Sequence, residues 1–560
     1  MTFNKVVFDI ETTMTADKIW CIVCKHGDTY YQFKEDRLHR FAELIKQTEE
    51  VIGHNIIGFD IPVVNTIFGY DVFANCKVTD TLVLSRLLNP MIDGGHSLRN
   101  WGTKLGQNKI HFEQFDYFSE DMLTYCRNDV ELTERLYKFL INKTKDFGMS
   151  IELEHKVAQI IQKQHERGFK INVVEAYELQ SKFQEDMNDL TTKVRQTFPP
   201  MKIEEEFIPK SNNKSRGYVK GVPFIKVKYK EFNLGSRQQI AERLVMLGWK
   251  PKKKTDKGHI IVDEKVLSQI HNIPEAKLIN RYLMLQKRIA QVNSWIEAIK
   301  EDGRVHGKVI TNGTITGRMS HQSPNMAQIP AVYSPYGKEC RALWTVNKGY
   351  KLVGVDASGL ELRMLAHYMN DKDYTHEVVN GDIHTANKIA AGLESRDKAK
   401  TFIYAFIYGA GSKKIGSIIG GSERDGERAK EKFLRATPSL RSLREKVERV
   451  AQRRWVRGLD QRKIIIRHPH AALNTLLQGA GAIVMKCALT LLENYVINKR
   501  IKAFPVVNVH DEFQYEVEEN KAEEFGRLAV QSIIDAGKQL NVRCPLNGEY
   551  KIGNNWSETH

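Results

Sequence analysis

Cysteine is scarce in this sequence of 560 residues, and its seven cysteines lack the spacing of a disulfide framework. This scarcity predicts a reducing compartment, and we expect a cytoplasmic location. We find no uninterrupted apolar run long enough to cross a bilayer, so we expect no membrane association. The first residues, MTFNKVVFDIET, carry no basic-then-apolar targeting signal and predict a folded strand.

Acidic residues are outnumbered. Lys and Arg total 84 against 68 Asp and Glu, which leaves a net charge of +16. This excess favours a polyanionic partner such as nucleic acid, although solubility alone is an alternative explanation. The length predicts about three or four domains.

Hydrophobic periodicity and composition change several times along the chain. The predictions are an α/β region over 1–140, helix over 150–200, a basic and partly mobile excursion over 202–232, helices over 236–300, and a second α/β region from 304 with helices around 386–456 and strands near 351–356 and 504–518.

Four acids and a tyrosine form a first constellation. Asp9 and Glu11 are two apart on a predicted strand and therefore share a face. Tyr125 and Asp129 are four apart on a predicted helix and also share a face. With Asp60, these acids could surround two Mg²⁺ ions acting on a phosphodiester, while the tyrosine orients water. A cap or a solvated charge is the alternative for any single acid.

The motifs D-x-E, N-x-x-x-F-D and Y-x-x-x-D occur in that order within roughly residues 5–140. This region resembles the DnaQ-type 3′–5′ exonuclease superfamily, which has a ribonuclease H-like fold. The resemblance implies that Tyr125 positions water and that the metal ligands are Asp9, Glu11, Asp60 and Asp129.

Two other features of this region have structural interpretations. Asp80 in VTDTLVLSRLL is predicted to be a helix N-cap. Cys21 and Cys24 form a lone C-x-x-C with apolar residues between them, which predicts a buried strand and not a zinc site.

The segment VVNVHDEFQYEV predicts a hairpin with His510, Asp511 and Glu512 at its tip. Strand neighbours point to opposite faces, so the two acids are not expected to serve one site equally. Asp356 ends a predicted strand and is the expected partner of Asp511 in a two-metal phosphoryl-transfer site. A helix cap is the alternative for Asp356.

The segment RDKAKTFIYAFIYGAG carries two cations and two aromatics at i+4 spacing, which forms one stripe on a helix. The cations can hold a triphosphate, and the aromatics offer a flat surface to a base and sugar. A solvated basic helix is the alternative, although such a face does not usually carry two aromatics. The four residues are Arg396, Lys400, Tyr404 and Tyr408.

DASGLELR, R-x-x-x-K-x-x-x-Y-x-x-x-Y-G and V-H-D-E resemble motifs A, B and C of family A DNA polymerases. GLDQRKIIIRHPHAALNTLLQGAGA is similar to the T-seven-like phage replicative group within that family. The resemblance implies a mixed α/β chain with a right-hand polymerase. Its expected parts are a 3′–5′ exonuclease domain over 1–145, a thumb over 146–300, palm over 301–370, fingers over 371–470 and palm again over 471–560.

The resemblance also implies roles for individual residues. Two Mg²⁺ ions, for which Mn²⁺ can substitute, would bind Asp356, Asp511 and the Ala357 carbonyl, with Glu512 as a supporting group. The implied dNTP contacts are Glu361, His384, Arg396, Lys400, Tyr404 and Tyr408. The implied minor-groove DNA contacts are Arg318, Asn474, Gln478 and His510. Helix packing is the alternative for Asn474 and Gln478.

The implied function is a phage replicative DNA polymerase with proofreading. Its expected partners are primer-template DNA, dNTPs and a replicative helicase-primase, in the host-cell cytoplasm. One alternative is a 3′–5′ exonuclease whose large C-terminal part only binds DNA and does not extend a primer. The presence of Asp356, Lys400 and Asp511 argues against it. The other alternative is a single-subunit RNA polymerase. Glu361 and the N-terminal exonuclease acids argue against it.

Three departures refine the resemblance. The exonuclease motif begins at Asp9, so we expect no preceding 5′ nuclease. The stretch 202–232 is short for a thioredoxin-binding insertion, which argues against that partner, and its lysines are expected to contact duplex phosphates. Tyr404 stands where the family often has Phe, which implies ready termination by dideoxynucleotides.

Overall fold

The computed structural model describes residues 3–251, 253–255 and 257–560. The chain divides into two compact units, the first comprising Met1–Lys170, His306–Tyr333 and Trp344–His560 and the second Ile171–Val305 and Ser334–Leu343. The five-part division into exonuclease, thumb, palm and fingers stays a prediction.

The N-terminal part of the first unit is an α/β structure, as its sequence predicts. Its elements are β1 (Phe3–Thr12), β2 (Ile19–His26), β3 (Thr29–Lys34), α1 (Leu38–Ile45), β4 (Thr48–Gly53), α2 (Asp60–Phe68), β5 (Lys77–Asp80), α3 (Thr81–Leu88), α4 (Leu98–Leu105), α5 (Glu120–Thr144), α6 (Ser150–Arg167) and β6 (Phe169–Ile171). The sheet order is β3-β2-β1-β4-β5. Strands β3, β2 and β1 are antiparallel neighbours, and β4 and β5 continue parallel to β1.

The central strand β1 is apolar on both faces because both faces are covered. Val6, Phe8 and Ile10 belong to one buried cluster, whereas Val7 packs in a second cluster with residues of α5. Burial on two faces replaces the usual polar-apolar alternation of a strand with a nearly continuous apolar run. The two acids of this strand, Asp9 and Glu11, interrupt that run at its C-terminal end.

The second unit is mainly helical and contains one long hairpin. Its elements are α7 (Val173–Thr197), β7 (Met201–Phe207), β8 (Phe224–Lys230), α8 (Arg237–Met246), α9 (Glu264–Leu267), α10 (Glu275–Glu297), β9 (Arg304–Val305) and α11 (Gly337–Ala342). Strands β7 and β8 pair over their full length, with Met201 opposite Lys230 and Phe207 opposite Phe224. The sequence predicted a basic excursion over 202–232, whereas this stretch contains two regular strands. The polar composition of the stretch obscured the period-two pattern of FIKVKYK.

The remainder of the first unit contains a second, antiparallel sheet. The elements are β10 (Lys308–Ile310), β11 (Ser320–Gln322), β12 (Trp344–Thr345), β13 (Tyr350–Ala357), α12 (Leu360–Met369), α13 (Lys372–Val379), α14 (Ile383–Ala391), α15 (Arg396–Ile407), α16 (Ser412–Ile419), α17 (Glu423–Ala436), α18 (Pro438–Ala451), β14 (Trp455–Arg457), β15 (Lys463–Ile465), α19 (Ala472–Lys499), β16 (Ala503–Val509), β17 (Glu512–Glu518), α20 (Ala522–Gln539) and β18 (Gly548–Gly553). The sheet order is β16-β17-β13-β18.

Helix α19 differs from the expectation that no segment is apolar enough to cross a membrane. The span Pro469–Lys499 meets that criterion by length and composition, with a mean hydropathy of 1.5. However, 83% of its apolar window is buried inside the protein. A helix that is hydrophobic all round and buried in this way is the core helix of a large domain.

A buried ionic network joins α6 to α19. Lys486 Nζ lies 2.7 Å from Glu154 Oε1, and the Arg462 guanidinium lies 2.6 Å from the same oxygen. Arg462 also pairs with Asp460, and Asn312 Oδ1 accepts hydrogen bonds from both cations. Buried charges are tolerated when they are paired in this way, and removing one partner leaves the others uncompensated.

We predict that Lys486→Met destabilises the protein by roughly 3–5 kcal/mol, because Glu154 loses one of its two buried cations. Lys163→Met is the matched control, since Lys163 and Glu493 also join α6 to α19, at 2.6 Å, but near the surface. We expect it to cost about 0–1 kcal/mol. Urea denaturation measures both, and equal losses would contradict the prediction.

Candidate active sites

The antiparallel pairing of β13 with β17 brings Asp356 and Asp511 together. Asp356 lies opposite Glu512 in the register, and the Ala357 N–H donates to the Asp511 carbonyl oxygen at 3.1 Å. The hairpin tip therefore lies beside the end of β13, as the sequence predicts. The helix-cap alternative for Asp356 is wrong, since the N-cap of α12 is Gly359.

Negative charge accumulates at this junction. Burial, followed by the charges of Asp511 and Glu512, raises the pKa of Asp356 to about 7. Burial also raises the pKa of Asp511. Carboxylates with raised pKa values in one cluster form a site in which a bound cation is favoured.

Glu512 occupies a different environment from Asp511. Its buried carboxylate accepts hydrogen bonds from Trp556 Nε1 at 2.7 Å and Gln514 Nε2 at 2.6 Å, and His560 Nδ1 lies 2.9 Å away. Burial raises the pKa of Glu512, but the hydrogen bond and charge of His560 and the other donors outweigh it, so the net pKa is lowered. The sequence carried no spacing signal for Trp556 or His560.

The predicted stripe lies on α15 and at its C-cap. Arg396 and Lys400 are exposed, Tyr404 is half-buried, and Tyr408 follows the last helical turn. Arg396 Nε donates to Asp382 Oδ2 at 2.7 Å. Asp382 also caps α14, and no motif in the sequence marks it as a site residue.

His384 lies at the start of α14, close to this stripe. Its ring centroid is 6.4 Å from that of Tyr404. Burial and then the charges of Arg396 and Lys400 lower the pKa of His384. Its Nδ1 atom is buried and makes no hydrogen bond within the described part of the chain. The side chains of Arg396, Lys400 and His384 are therefore close enough to interact electrostatically on the exposed side of α15.

Glu361 joins two other predicted site residues. Tyr408 Oη donates to the Glu361 carboxylate at 2.9 Å, and Arg318 Nη2 lies 3.1 Å from the same group. Burial and the bond to Glu361 raise the pKa of Tyr408 to about 12. The hydroxyl therefore remains a proton donor at neutral pH.

The predicted DNA contacts fall into two places. Arg318 and His510 line one cavity with residues of α19 and β17. Asn474 and Gln478 lie one turn apart on α19 and are half-buried. Among the residues that the structure describes, neither forms a hydrogen bond with Arg318 or His510.

The N-terminal acids also converge. Asp9 and Glu11 end β1, Asp60 begins α2, and Asp129 lies on α5 one turn after Tyr125. Ligand atoms of Asp9, Glu11 and Cys126 all lie within 4.8 Å of one another. Cys126 was not foreseen, because a single cysteine on a helix carries no pattern.

Lys109 is a further charged group at this cluster, and it belongs to no motif that the sequence displays. Its Nζ lies 2.5 Å from Asp129 Oδ2 and 4.7 Å from the centroid of the Tyr125 ring. It also lines a cleft of about 560 Å³ with two arginines, Arg86 and Arg99. A cleft with this lining carries positive charge beside the acidic cluster, which suits an anionic chain.

The acidic cluster fits divalent metal ions. Burial and the neighbouring carboxylates raise the pKa of Asp9 well above its usual range and that of Glu11 to about 9. Burial raises the pKa of Asp60 to about 7. Asp129 Oδ1 is buried and has no hydrogen-bond partner among the described residues. A hard divalent cation prefers oxygen ligands and would relieve the repulsion among these carboxylates. It would also give the buried Asp129 Oδ1 atom a partner.

The structural interpretations of the remaining N-terminal motifs are confirmed. The Asp80 side chain caps α3 by accepting from the Leu82 N–H, and it also accepts from the Asn55 and Ile57 N–H groups. Cys21 and Cys24 are both fully buried in β2, as a core strand requires.

Comparison with known proteins identifies the family. The family model for DNA polymerase family A matches residues 220–558. The chain is 32% identical to the DNA-directed DNA polymerase of Enterobacteria phage T3, over 99% of this chain and 100% of that protein. The chain belongs to DNA polymerase family A. It is also 34% identical to the DNA-directed DNA polymerase of Escherichia phage T7, over 87% of this chain and 88% of that protein. The predicted enzyme class, a DNA-directed DNA polymerase, is confirmed.

The fold of this family A polymerase is shared with a solved structure. The polymerase domain of Pol1 from M. smegmatis, in complex with DNA primer-template and dNTP, matches it with a TM-score of 0.82. The match covers 99% of this chain and 95% of that one at 17% sequence identity, so it establishes the fold alone. The predicted mixed α/β class with a right-hand polymerase is confirmed.

We predict that the metal-free protein loses stability as the pH rises from about 6 to 9. The raised pKa values of Asp60 and Glu11, about 7 and about 9, mean that the folded state binds protons more tightly than the unfolded state. Their stabilising effect is present at low pH and is lost as each group deprotonates, by up to about 1.4 kcal/mol per pH unit for each proton.

Thermal denaturation in EDTA across this pH range measures the effect. We expect Mn²⁺ to flatten the dependence, because the ion replaces the protons. Glu11→Gln should also flatten it by removing one titrating group. A metal-free transition temperature that rises with pH over this range would contradict the prediction.

Proposed function

We propose that this family A polymerase extends a primer 3′ end by two-metal phosphoryl transfer and proofreads with an N-terminal 3′–5′ exonuclease. The observation that carries the proposal is the junction of β13 and β17, where Asp356 and Asp511 are adjacent and their pKa values are raised. The second, separate acidic cluster on β1, α2 and α5 supports the exonuclease activity.

At the polymerase site, Asp356, Asp511 and the Ala357 carbonyl would hold two Mg²⁺ ions, for which Mn²⁺ could substitute. When bound, such ions polarise the attacking 3′ oxygen and neutralise charge on the leaving pyrophosphate. Glu512 is a supporting group, since its carboxylate is held by Trp556 and Gln514 and is turned toward the protein interior.

The substrate triphosphate would bind the face of α15. Arg396 and Lys400 supply the positive charge for the phosphates, and His384 supplies a further hydrogen-bond donor. Tyr404 and Tyr408 offer rings to the sugar and base. Glu361, bonded to Tyr408, limits the space beside the sugar and would exclude a 2′-hydroxyl.

Primer-template DNA is the proposed macromolecular partner. Arg318 and His510 share one cavity and would contact the minor groove, with Asn474 and Gln478 as further contacts from α19. The loop between β7 and β8 supports additional phosphate contacts, because it carries four cations and no acid. These cations are Lys210, Lys214, Arg216 and Lys220.

At the exonuclease site, Asp9, Glu11, Asp60 and Asp129 would hold the metals, and Tyr125 would orient the attacking water. The Tyr125 ring is fixed by stacking on Phe112, with ring centroids 5.3 Å apart. Fixed orientation of this hydroxyl favours attack on the phosphodiester in a single geometry.

The biological setting is proposed from the phage relatives. We place the enzyme in the replication machinery of a phage, working with a replicative helicase-primase in the host-cell cytoplasm. A thioredoxin partner is not part of the proposal, because the hairpin of β7 and β8 is short for such an insertion.

We predict that the two activities separate by substitution. Asp9→Ala with Glu11→Ala should abolish degradation of a labelled single strand and leave primer extension intact. Asp511→Ala should abolish extension and leave degradation. Primer-template assays with Mg²⁺ and either dNTPs or rNTPs measure both activities. Degradation without extension by the unmodified enzyme, or extension that depends on rNTPs, would overturn the proposal.

We further predict unequal roles for the two hairpin acids. Asp511→Asn should lower the extension rate by on the order of 10³-fold, because a metal ligand supplies several kcal/mol of transition-state stabilisation. Glu512→Gln should lower it by roughly tenfold, since a group that supports the metal ligands without being one contributes less and the amide retains the shape of the side chain. Single-turnover incorporation rates test this ranking, and equal losses would show that both acids serve the site in the same way.

A further inference from the structure

Lys109 lies between the N-terminal acids and the basic cleft. It belongs to the segment that connects α4 to α5, and its side chain is 19% exposed beside an Asp129 side chain that is 4% exposed. The pair is therefore shielded from water on most sides. An ion pair in this environment interacts more strongly than one on the surface.

The connecting segment does not depend on Lys109 for its attachment to α5. The Ile110 N–H donates to Asn128 Oδ1 at 3.1 Å. Phe112 stacks on Tyr125, and Phe115 meets the same ring edge-on at 6.3 Å. These contacts hold the part of the segment that follows Lys109 on α5 without using the lysine side chain, so the lysine charge is available for another role.

The charge of Lys109 reaches several acids of the cluster. It opposes the upward pKa shifts of Asp9, Glu11 and Asp129, which arise first from burial. The ammonium group thus compensates part of the negative charge that divalent ions would otherwise compensate. Its position 4.7 Å from the Tyr125 ring gives it a second favourable contact close by.

We propose that Lys109 is a placeholder for an exonuclease metal ion: it pairs with Asp129 while the ion is absent and releases that carboxylate when the ion binds. The inference rests on the proposed exonuclease function. Mg²⁺ lies about 2.0–2.1 Å from its oxygen ligands, so an ion on Asp129 Oδ2 would compete with an ammonium 2.5 Å from that oxygen. Lys109 is a positioning residue that lowers metal affinity and stabilises the metal-free site.

Mn²⁺ binding to the full-length chain tests this idea, measured by electron paramagnetic resonance in an Asp356→Asn, Asp511→Asn background that disables the polymerase site. We expect Lys109→Met to bind Mn²⁺ roughly tenfold more tightly at the N-terminal site, because a competing charge is gone. Lys109→Arg should restore the original affinity by restoring the charge.

Thermal stability supplies a second, independent readout. In EDTA, Lys109→Met should lower the transition temperature by about 1–2 °C, and saturating Mn²⁺ should remove the difference. Lys25→Met is the matched control, because Lys25 pairs with Glu134 of the same helix at 2.6 Å, away from the acids. Its stability change should be the same with and without Mn²⁺, and its Mn²⁺ affinity should be unchanged.

Two results would overturn the placeholder role. One is unchanged or weaker Mn²⁺ binding in Lys109→Met, and the other is an equal loss of stability in EDTA and in Mn²⁺. Primer extension by Lys109→Met with an intact polymerase site reports correct folding. Failure of the unmodified chain to degrade single-stranded DNA would instead refute the exonuclease proposal, and the binding measurements would still decide the role of Lys109.

Discussion

Repulsion among crowded carboxylates is the constraint on which both sites depend. Asp356 and Asp511 meet at the end of a sheet, and Asp9 and Glu11 approach Asp129 and Asp60 in a second place. Burial, followed in most of them by the charges of neighbouring carboxylates, raises the pKa values of these groups. The protein holds them together because the surrounding packing is strong enough to oppose this repulsion. Each cluster is consequently poised for divalent metal.

Strand register determines which of the two hairpin carboxylates faces the polymerase site. The pairing of Val355 with Phe513 and Asp356 with Glu512 leaves Asp511 at the hairpin turn, where its carbonyl oxygen accepts from the Ala357 N–H at the end of β13. A shift of one residue would exchange the two faces of β17 and bring Glu512 to the position of Asp511. The buried bonds from Trp556 and Gln514 to Glu512 stabilise the observed register. Positioning of the reactive carboxylate is thus a property of the whole sheet.

Sequence reasoning predicted contacts between residues that are close in the chain and missed contacts between residues that are far apart in the chain. Pairs on one element, such as Tyr125 with Asp129 or Arg396 with Lys400, follow from strand and helix periods. Lys109, Cys126 and the Trp556–Glu512 contact join elements that are distant in the chain, and no period connects them. The β7–β8 hairpin was missed for a local reason, since the lysines of β8 alternate with apolar residues that are themselves exposed and so mark no buried face. The metal roles of the acids and the five-part division stay predictions.

The sequence by itself determined the family, the α/β alternation and the local geometry of each motif, because these depend on residue type and short-range spacing. Only the tertiary structure decided that Glu512 is turned into the protein while Asp511 remains at the tip. It also decided that a lysine from a connecting segment neutralises Asp129. Both outcomes depend on which distant side chains reach a buried carboxylate, and that is a consequence of packing in three dimensions.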